Sequence, residues 1–487
     1  LVPRRVRIDA EGCVGEAWLC RDRSCAGVPK SVPIVQGTGV VELEPGAWLV
    51  HGRCDDGRRS PAIAFQVTAT GFTRPAGMDV NGDGYADLVV GAGTFGEPLP
   101  GARRGPGAVA VYFGGPSGIP EEASQIVPSP EGGLFGTQLG AAGDVNRDGY
   151  DDVLATAIIA PWVDEHGGEG RTYLLHGSPG GLVRSDWTFV VPPTRSASSN
   201  RQSTPRIAAR GVGDVNGDGY PDVAIGIATG RATVWLYEGG PGGLNPTPSS
   251  FAEDPDTESF FGWDVIGGID LNEDRHADIA VAFQAYDPIP IYLNGGPDGI
   301  TYDTSVRLGP PSGCPGSSFA VADYDGDGHL ELAMGSFLRA RRGMVGVFKG
   351  LVTSGRNLHP IWVATGERGD NLGRSLAAAD VNGDGKTDLV TGVPLTVLYG
   401  GEAPPGPGFR FREIESRQQV RPSNSRRGER LTSPGDLNGD GFADVAISTI
   451  GTPIVEVYFG SAQGLEAEPR TELEMSYGTQ FGLDFAP

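Results

Sequence analysis

The stretch Asp79–Ala92, DVNGDGYADLVVGA, decides how this chain is read. Six variants follow: DVNRDGYDDVLATA from Asp144, DVNGDGYPDVAIGI from Asp214, DLNEDRHADIAVAF from Asp270, DYDGDGHLELAMGS from Asp323, DVNGDGKTDLVTGV from Asp380 and DLNGDGFADVAIST from Asp436. Successive copies start 65, 70, 56, 53, 57 and 56 residues apart. A period of this length marks an array of small units, none able to bury its own faces alone.

Counted from the first Asp, oxygen side chains fall at positions 1, 3, 5 and 9, and the backbone carbonyl of position 7 can join them. The seven candidate ligand sets are Asp79, Asn81, Asp83, Tyr85 and Asp87; Asp144, Asn146, Asp148, Tyr150 and Asp152; Asp214, Asn216, Asp218, Tyr220 and Asp222; Asp270, Asn272, Asp274, His276 and Asp278; Asp323, Asp325, Asp327, His329 and Glu331; Asp380, Asn382, Asp384, Lys386 and Asp388; and Asp436, Asn438, Asp440, Phe442 and Asp444. A cluster of hard oxygens suits Ca²⁺, whereas Mg²⁺ demands a more rigid octahedron. Gly84, at position 6, lets the chain turn sharply. An EF-hand would carry Glu at position 12, followed by a helix. Position 12 here is Val90, Ala155, Ile225, Val281, Met334, Thr391 or Ile447, and each loop runs into an apolar, β-branched segment that reads as a strand. Turns that bind nothing would also be Asx-rich, but seven copies with one oxygen spacing argue against that alternative.

The charge balance agrees. Three acids in each of seven loops, with Asp325, make 22 of the 61 acidic residues; the other 39 nearly match the 38 Lys and Arg. The net charge of −23 therefore resides in the loops, and seven Ca²⁺ ions would reduce it to −9. Without metal, the carboxylates of each loop repel one another. The copies are unequal. The fourth has Glu273 and Arg275 where most have Gly, so its site is expected to be the weakest or empty. The second has Arg147 at position 4, and the fifth has Glu331 at position 9.

Gly and Pro supply 78 and 39 of the 487 residues. Without a collagen period that content could suggest disorder, but regular apolar strands between the turns point to an all-β protein. No apolar run is long enough to span a membrane. The chain shows no signal peptide and reads as a mature or trimmed form; the opening LVPR fits a protease-tag remnant or native sequence equally. The acidic balance argues against nucleic acid as a partner. Cys13, Cys20, Cys25 and Cys54 crowd the first 54 residues, which suggests two disulfides and an oxidising compartment. Zinc is disfavoured because only Cys20 and Cys25 are suitably close. Cys314 stands apart.

Residues 1–70 lack the repeat. Strand-like runs at 6–9, 14–19, 40–43, 47–51 and 63–68 are separated by turn signals such as EPG at Glu44, which reads as a small, disulfide-containing, sandwich-like β domain. Residues 71–487 hold the repeats. After each loop come an apolar strand, a variable link, and a strand ending in a Gly-rich turn, as in VAVYFGGPSGI from Val109 and TVWLYEGGPGGL from Thr233. About four strands fit into each unit of about 59 residues. Four-stranded sheets set radially around a channel would bury every face. The C-terminal YGTQFGLDFAP from Tyr477 parallels FGTQLGAAGDV from Phe135, which precedes the second loop. The segment 477–487 is expected to pair with the start of the ring and fasten it, with Phe481, Leu483 and Phe485 as its apolar residues.

The pattern Phe-Gly … Gly-Ala followed by D-x-[DN]-x-D-G-x-x-D resembles the FG-GAP repeat of integrin α-subunit propellers and of many secreted bacterial proteins. Phe135-Gly136 and Phe261-Gly262 carry it, with Leu372-Gly373 in a similar place; Phe-Gly is missing before the third and fifth loops. The resemblance covers residues 71–487. It implies a seven-bladed β-propeller with calcium loops on one face and a secreted, cell-surface or periplasmic setting.

Three functions are consistent with this. The first is a non-catalytic, calcium-stabilised adhesion, binding or assembly scaffold. Its variable loops (94–107, 192–206 and 402–430) would meet an extracellular protein, a glycan or further copies of a surface protein. The second is a polysaccharide lyase, which needs a converging acid and base; the six His (51, 166, 176, 276, 329 and 359) are scattered, and no nucleophile motif is visible. The third is a lectin, but the seven Trp occupy unlike positions, so no repeated sugar platform appears. Arg368-Gly369-Asp370 resembles an integrin-ligand tripeptide, yet in so Gly-rich a chain a polar turn explains it.

Overall fold

A computed structural model describes, with side chains, residues 77–97, 105–159, 169–191, 206–228, 232–253, 261–272, 274, 276–282, 293–301, 318–327, 329–335, 343–349, 360–367, 372–392, 395–401, 430–448, 453–475, 481–482 and 484–486. For further strands, including all those before residue 77, it describes the backbone alone. Every regular element described is a β-strand.

Seven antiparallel four-stranded sheets form the blades of a propeller. In blades 2 to 7 the chain runs from an inner strand through the acidic loop to a second strand, then a third, then past the Gly-rich turn to an outer strand. Blade 2 is typical: Gln138–Gly143, Asp152–Ile159, Glu169–His176 and Val183–Val191. Blades 4 and 5 each gain a short fifth strand, Asn357–Leu358 and Arg412–Glu413, paired in parallel at the outer edge. The inner strands of all seven blades contribute to one central channel.

Both faces of the inner and middle strands meet a neighbouring blade. Leu88–Ala92, Ala108–Tyr112 and Asp278–Ala282 are therefore buried at every residue, which explains their continuous apolar runs without alternation. Seven apolar clusters result, one at each blade-to-blade junction. The cluster between blades 7 and 1 joins Val455, Val457 and Leu473 to Leu88, Val90 and Tyr112, so the wheel is closed.

The last strand of the chain closes the wheel, in a register other than the one its likeness to residues 135–140 suggests. Phe481–Ala486 is the inner strand of blade 1; Phe485 faces Val90 and Ala486 faces Val89. Leu139 faces Ala155 at the equivalent place in blade 2. The match to Phe135-Gly136-Thr-Gln-Leu139 is thus Phe481-Gly482-Leu-Asp-Phe485, four residues later than the likeness of YGTQFG to FGTQLG suggests. The left-handed conformation decides it: Gly136, Gly262, Gly373 and Gly482 have φ of 79°, 79°, 81° and 70°. Phe481 and Phe485 are buried, while the side chain of Leu483 lies outside the described residues.

Because the C-terminus fills this place, Phe72–Thr73 is free to pair elsewhere. It joins Ile63–Val67 at the end of a sheet ordered Lys30–Ile34, Gly15–Cys20, Gly46–Cys54, Ile63–Val67, Phe72–Thr73. That sheet reaches past residue 70. Arg4–Asp9 pairs with Thr38–Leu43. Lys30–Ile34 is the strand the sequence hides: Pro33 argues against one, but an edge strand tolerates it. All five Cys side chains lie outside the described residues.

Candidate metal centres

The loop folds around its own carboxylates. The first Asp accepts the N–H of position 5 in all seven copies, at 3.0–3.2 Å. In five copies its other oxygen takes the N–H of position 6 at 2.8–2.9 Å. The Asp at position 5 accepts the N–H of position 7 in all seven, at 2.9–3.1 Å. Position 3 Asn turns its amide to the position 5 carboxylate in the second, third, fourth, sixth and seventh loops.

In the first, second, third, sixth and seventh loops two described residues adopt φ > 0, not one. Position 6 is the expected one; position 4 is the other, at 68° in Gly82 and 77° in Gly217. Arg147 takes the same conformation at 56°, the one described non-Gly residue to do so.

Position 9 plays a part its spacing does not disclose. Asp87, Asp152, Asp222, Asp278, Glu331, Asp388 and Asp444 have no solvent exposure. One carboxylate oxygen of each accepts the N–H of position 2 at 2.8–3.2 Å. In the six Asp copies the other oxygen accepts the N–H of a glycine after the third strand, at 2.9–3.0 Å. The residue therefore ties both ends of the loop to the next hairpin. That glycine is required by close approach: a Cβ on Gly114 would stand 2.1 Å from the carbonyl oxygen of Ala86.

Burial has an electrostatic consequence. It pushes Asp79 up to about 7, helped by the Asp83 carboxylate, and pushes Asp222 and Asp388 to about 7. Asp87 and Asp444 are raised well above the usual carboxylate range, again chiefly by burial. Backbone N–H groups offset this only in part. Such a set of anionic oxygens has the chemistry to hold a hard divalent cation.

The loops also touch one another around the ring. The peptide N–H at position 8 donates to the position 1 carbonyl of the preceding loop, as from Asp151 to Asp79, Ala277 to Asp214 and Ala443 to Asp380. Ala86 donates to Asp436 and joins the first loop to the seventh. The side chain at position 7, expected to matter only for its carbonyl, covers position 4 of the preceding loop. Cβ atoms on Gly217, Gly383 and Gly439 would meet the rings of His276, Phe442 and Tyr85 within 2.6–2.7 Å. Arg147 instead lies over the Tyr220 ring, 5.3 Å from its centre.

Three described loops receive a side chain from the end of their third strand. In the second, His176 Nδ1 lies 3.1 Å from Asp152 Oδ1. In the fourth, Asn294 Oδ1 accepts from the Asn272 amide. In the fifth loop Asp323, Asp325 and Asp327 converge within 4.8 Å, the spacing of a metal site. There, however, the Lys349 ammonium bonds both Asp325 and Asp327 and lies 3.7 Å from Glu331 Oε1. The fourth loop keeps its Asp270 and Asp278 contacts, but Glu273 and Arg275, expected to weaken it, lie outside the described residues.

The central channel holds a cavity of about 470 Å³, whose ionisable lining is Arg210, Arg374, Arg430, Asp264 and Asp484. Arg210 Nε is 3.9 Å from Asp264. Arginines thus stand where an acid–base site would place His, Tyr or Lys beside a carboxylate. Trp187 packs edge-on against Tyr237, Trp235 lies tilted against Phe251, and Trp263 sits beneath Arg206. The Arg368–Asp370 tripeptide lies outside the described residues, as does most of the 192–206 and 402–430 segments. Among the described residues, no helix is long and apolar enough to cross a membrane.

Comparison with known proteins agrees with this architecture. The FG-GAP repeat family matches residues 75–112, 211–237 and 372–403, and the FG-GAP-like repeat family matches residues 270–334. Integrin alpha-6 of Gallus gallus is 31% identical over 142 residues, covering 28% of this chain and 12% of its own length. Integrin alpha pat-2 of Caenorhabditis briggsae is 27% identical over 272 residues, covering 54% of this chain and 21% of its own. These alignments thus span no more than about a fifth of either relative. A solved structure from Bacteroides fragilis, provisionally named a 6-phosphogluconolactonase, aligns with 82% of this chain and 97% of its own at a TM-score of 0.43 and 11% identity, too loosely to bear on function. The chain carries FG-GAP repeats, is related in sequence to integrin α subunits, and forms a seven-bladed β-propeller.

Proposed function

We propose that this FG-GAP propeller is a non-catalytic extracellular binding or adhesion scaffold stabilised by calcium. Its loops offer Ca²⁺ the side chains of positions 1, 3, 5 and 9 and the carbonyl of position 7. The observation that carries the reading is a repeated one: in all seven loops a fully buried position 9 carboxylate closes a loop whose position 1 and position 5 carboxylates are already fixed by backbone N–H groups. A bound divalent cation would supply the positive charge that these sets lack. Of the loops that hold the ion, the fourth is the weakest site.

The stitched ring of loops makes one propeller face a rigid platform. Variable segments leaving such a platform are suited to meet a protein or glycan, because binding residues on loops are positioned by the scaffold beneath them. Similarity to integrin α subunits favours an extracellular protein as the partner. Residues before the repeats form a separate small β domain, with disulfides among its four Cys.

A thermal melt tests the metal reading. Millimolar Ca²⁺ should raise the melting point clearly over that in chelator, as expected for sites of about 10⁻⁴ to 10⁻³ M affinity. Equal melting points would refute it. Screening the intact calcium-loaded chain against extracellular proteins and glycans tests the binding reading; turnover of a polysaccharide without stable binding would favour a lyase.

A further inference from the structure

The fifth loop differs from the others in three ways that belong together. It has Asp325 where the other copies have Asn. It has Glu331, one methylene longer, at position 9. Just after its third strand, Met344–Phe348, comes Lys349, where the other blades have Phe113, His176, Glu238, Asn294, Tyr399 and Phe459.

We propose that the fifth loop is closed by the chain's own cation: the Lys349 ammonium takes the place of the divalent ion, and this loop binds no calcium. The inference rests on the reading that the other loops are calcium sites. Lys349 Nζ bonds the position 3 and position 5 carboxylates, two members of the ligand set. Calcium would need those same oxygens at about 2.3–2.6 Å. An ammonium bonded to both excludes it by volume and by charge.

The local composition is balanced for this arrangement. The additional acid, Asp325, adds one negative charge, and Lys349 supplies one positive charge. Asp325 is buried, with its side chain only 3% exposed, and Lys349 covers it from the solvent side. The extra methylene of Glu331 carries Oε1 toward the ammonium, while Oε2 keeps the N–H of Tyr324. Convergence of Asp323, Asp325 and Asp327 alone would suggest a metal site; the lysine inside the cluster decides otherwise.

Two measurements on the intact chain test this. Equilibrium dialysis against Ca²⁺, with metal counted by mass spectrometry, should give Lys349→Met one more bound ion per chain than the wild type. Equal counts overturn the proposal. If neither protein binds calcium, the general calcium reading fails and this inference fails with it. Should the variant not fold, amide exchange of the wild type gives the answer. Chelation should strip protection from Leu88–Ala92 and Asp222–Ile227 while leaving Leu332–Gly335 unchanged. Equal calcium sensitivity in the fifth blade would overturn the proposal.

Discussion

Asp444 shows what one side chain contributes. It is wholly buried, and its two oxygens take the N–H groups of Leu437 and Gly460. Asn offers one acceptor oxygen in place of two, so Asp444→Asn leaves a buried donor unpaired. A loss of about 1–3 kcal/mol is expected from urea unfolding in chelator, and a larger one in Ca²⁺. A purely metal-ligating Asp would show no loss in chelator. The raised carboxylates also set a pH dependence. The folded-state pKa is about 7 for Asp79, Asp222 and Asp388, against an ordinary value of 3.8. Between those values the calcium-free folded state binds more protons than the unfolded one, so its stability falls as pH rises from about 4 to 7. Calcium needs the ionised form, so its stabilising effect is lost as pH falls through 7. The difference in melting point between Ca²⁺ and chelator should therefore be larger at pH 8 than at pH 5.5. A constant difference would show that these groups do not bind the ion.

At the scale of the loop, each hairpin is half of a joint. Gly439 has φ of 72°, and a Cβ there would meet the Tyr85 ring 2.6 Å away. Gly439→Ala should cost about 1–2 kcal/mol in backbone strain, and contact with Tyr85 adds to this. Tyr85→Ala in the same chain removes the clash, so the double variant should lose less than the sum of the single ones in thermal melts. Strict additivity would mean that the loops do not touch. The oxygen pattern within a loop was legible from sequence because nine consecutive residues carry it. The roles of position 4 and of the position 7 side chain were not, since a neighbouring blade defines them. A weak signal existed: position 4 is Gly in five of seven copies, more often than a turn with one left-handed residue requires.

The whole molecule depends on one join. Phe481 and Phe485 are buried among residues of blades 7 and 1, and Asp484 accepts the N–H of Leu139 in blade 2. Removing residues 481–487 should open the ring and expose that apolar junction. The truncated protein should bind a hydrophobic dye in native buffer and lose its single cooperative transition. Phe485→Ala alone should lower the unfolding free energy by about 3–5 kcal/mol. A truncated chain that melts like the intact one would show that the last strand is dispensable.

The recurrence of DVNGDGYADLVVGA, read from sequence alone, determined an all-β array of seven units with oxygen-rich loops. That information is local: a nine-residue spacing and an apolar strand directly after it survive in the linear chain. The need for closure was legible too, since seven units with two buried faces each leave none to spare for an edge. Only the tertiary structure decided the register of the closing strand, the burial of position 9, the contact of each loop with its neighbour and the entry of Lys349 into the fifth loop. Each of these joins residues from different strands or blades, and their meeting depends on how twisted sheets pack around a common axis.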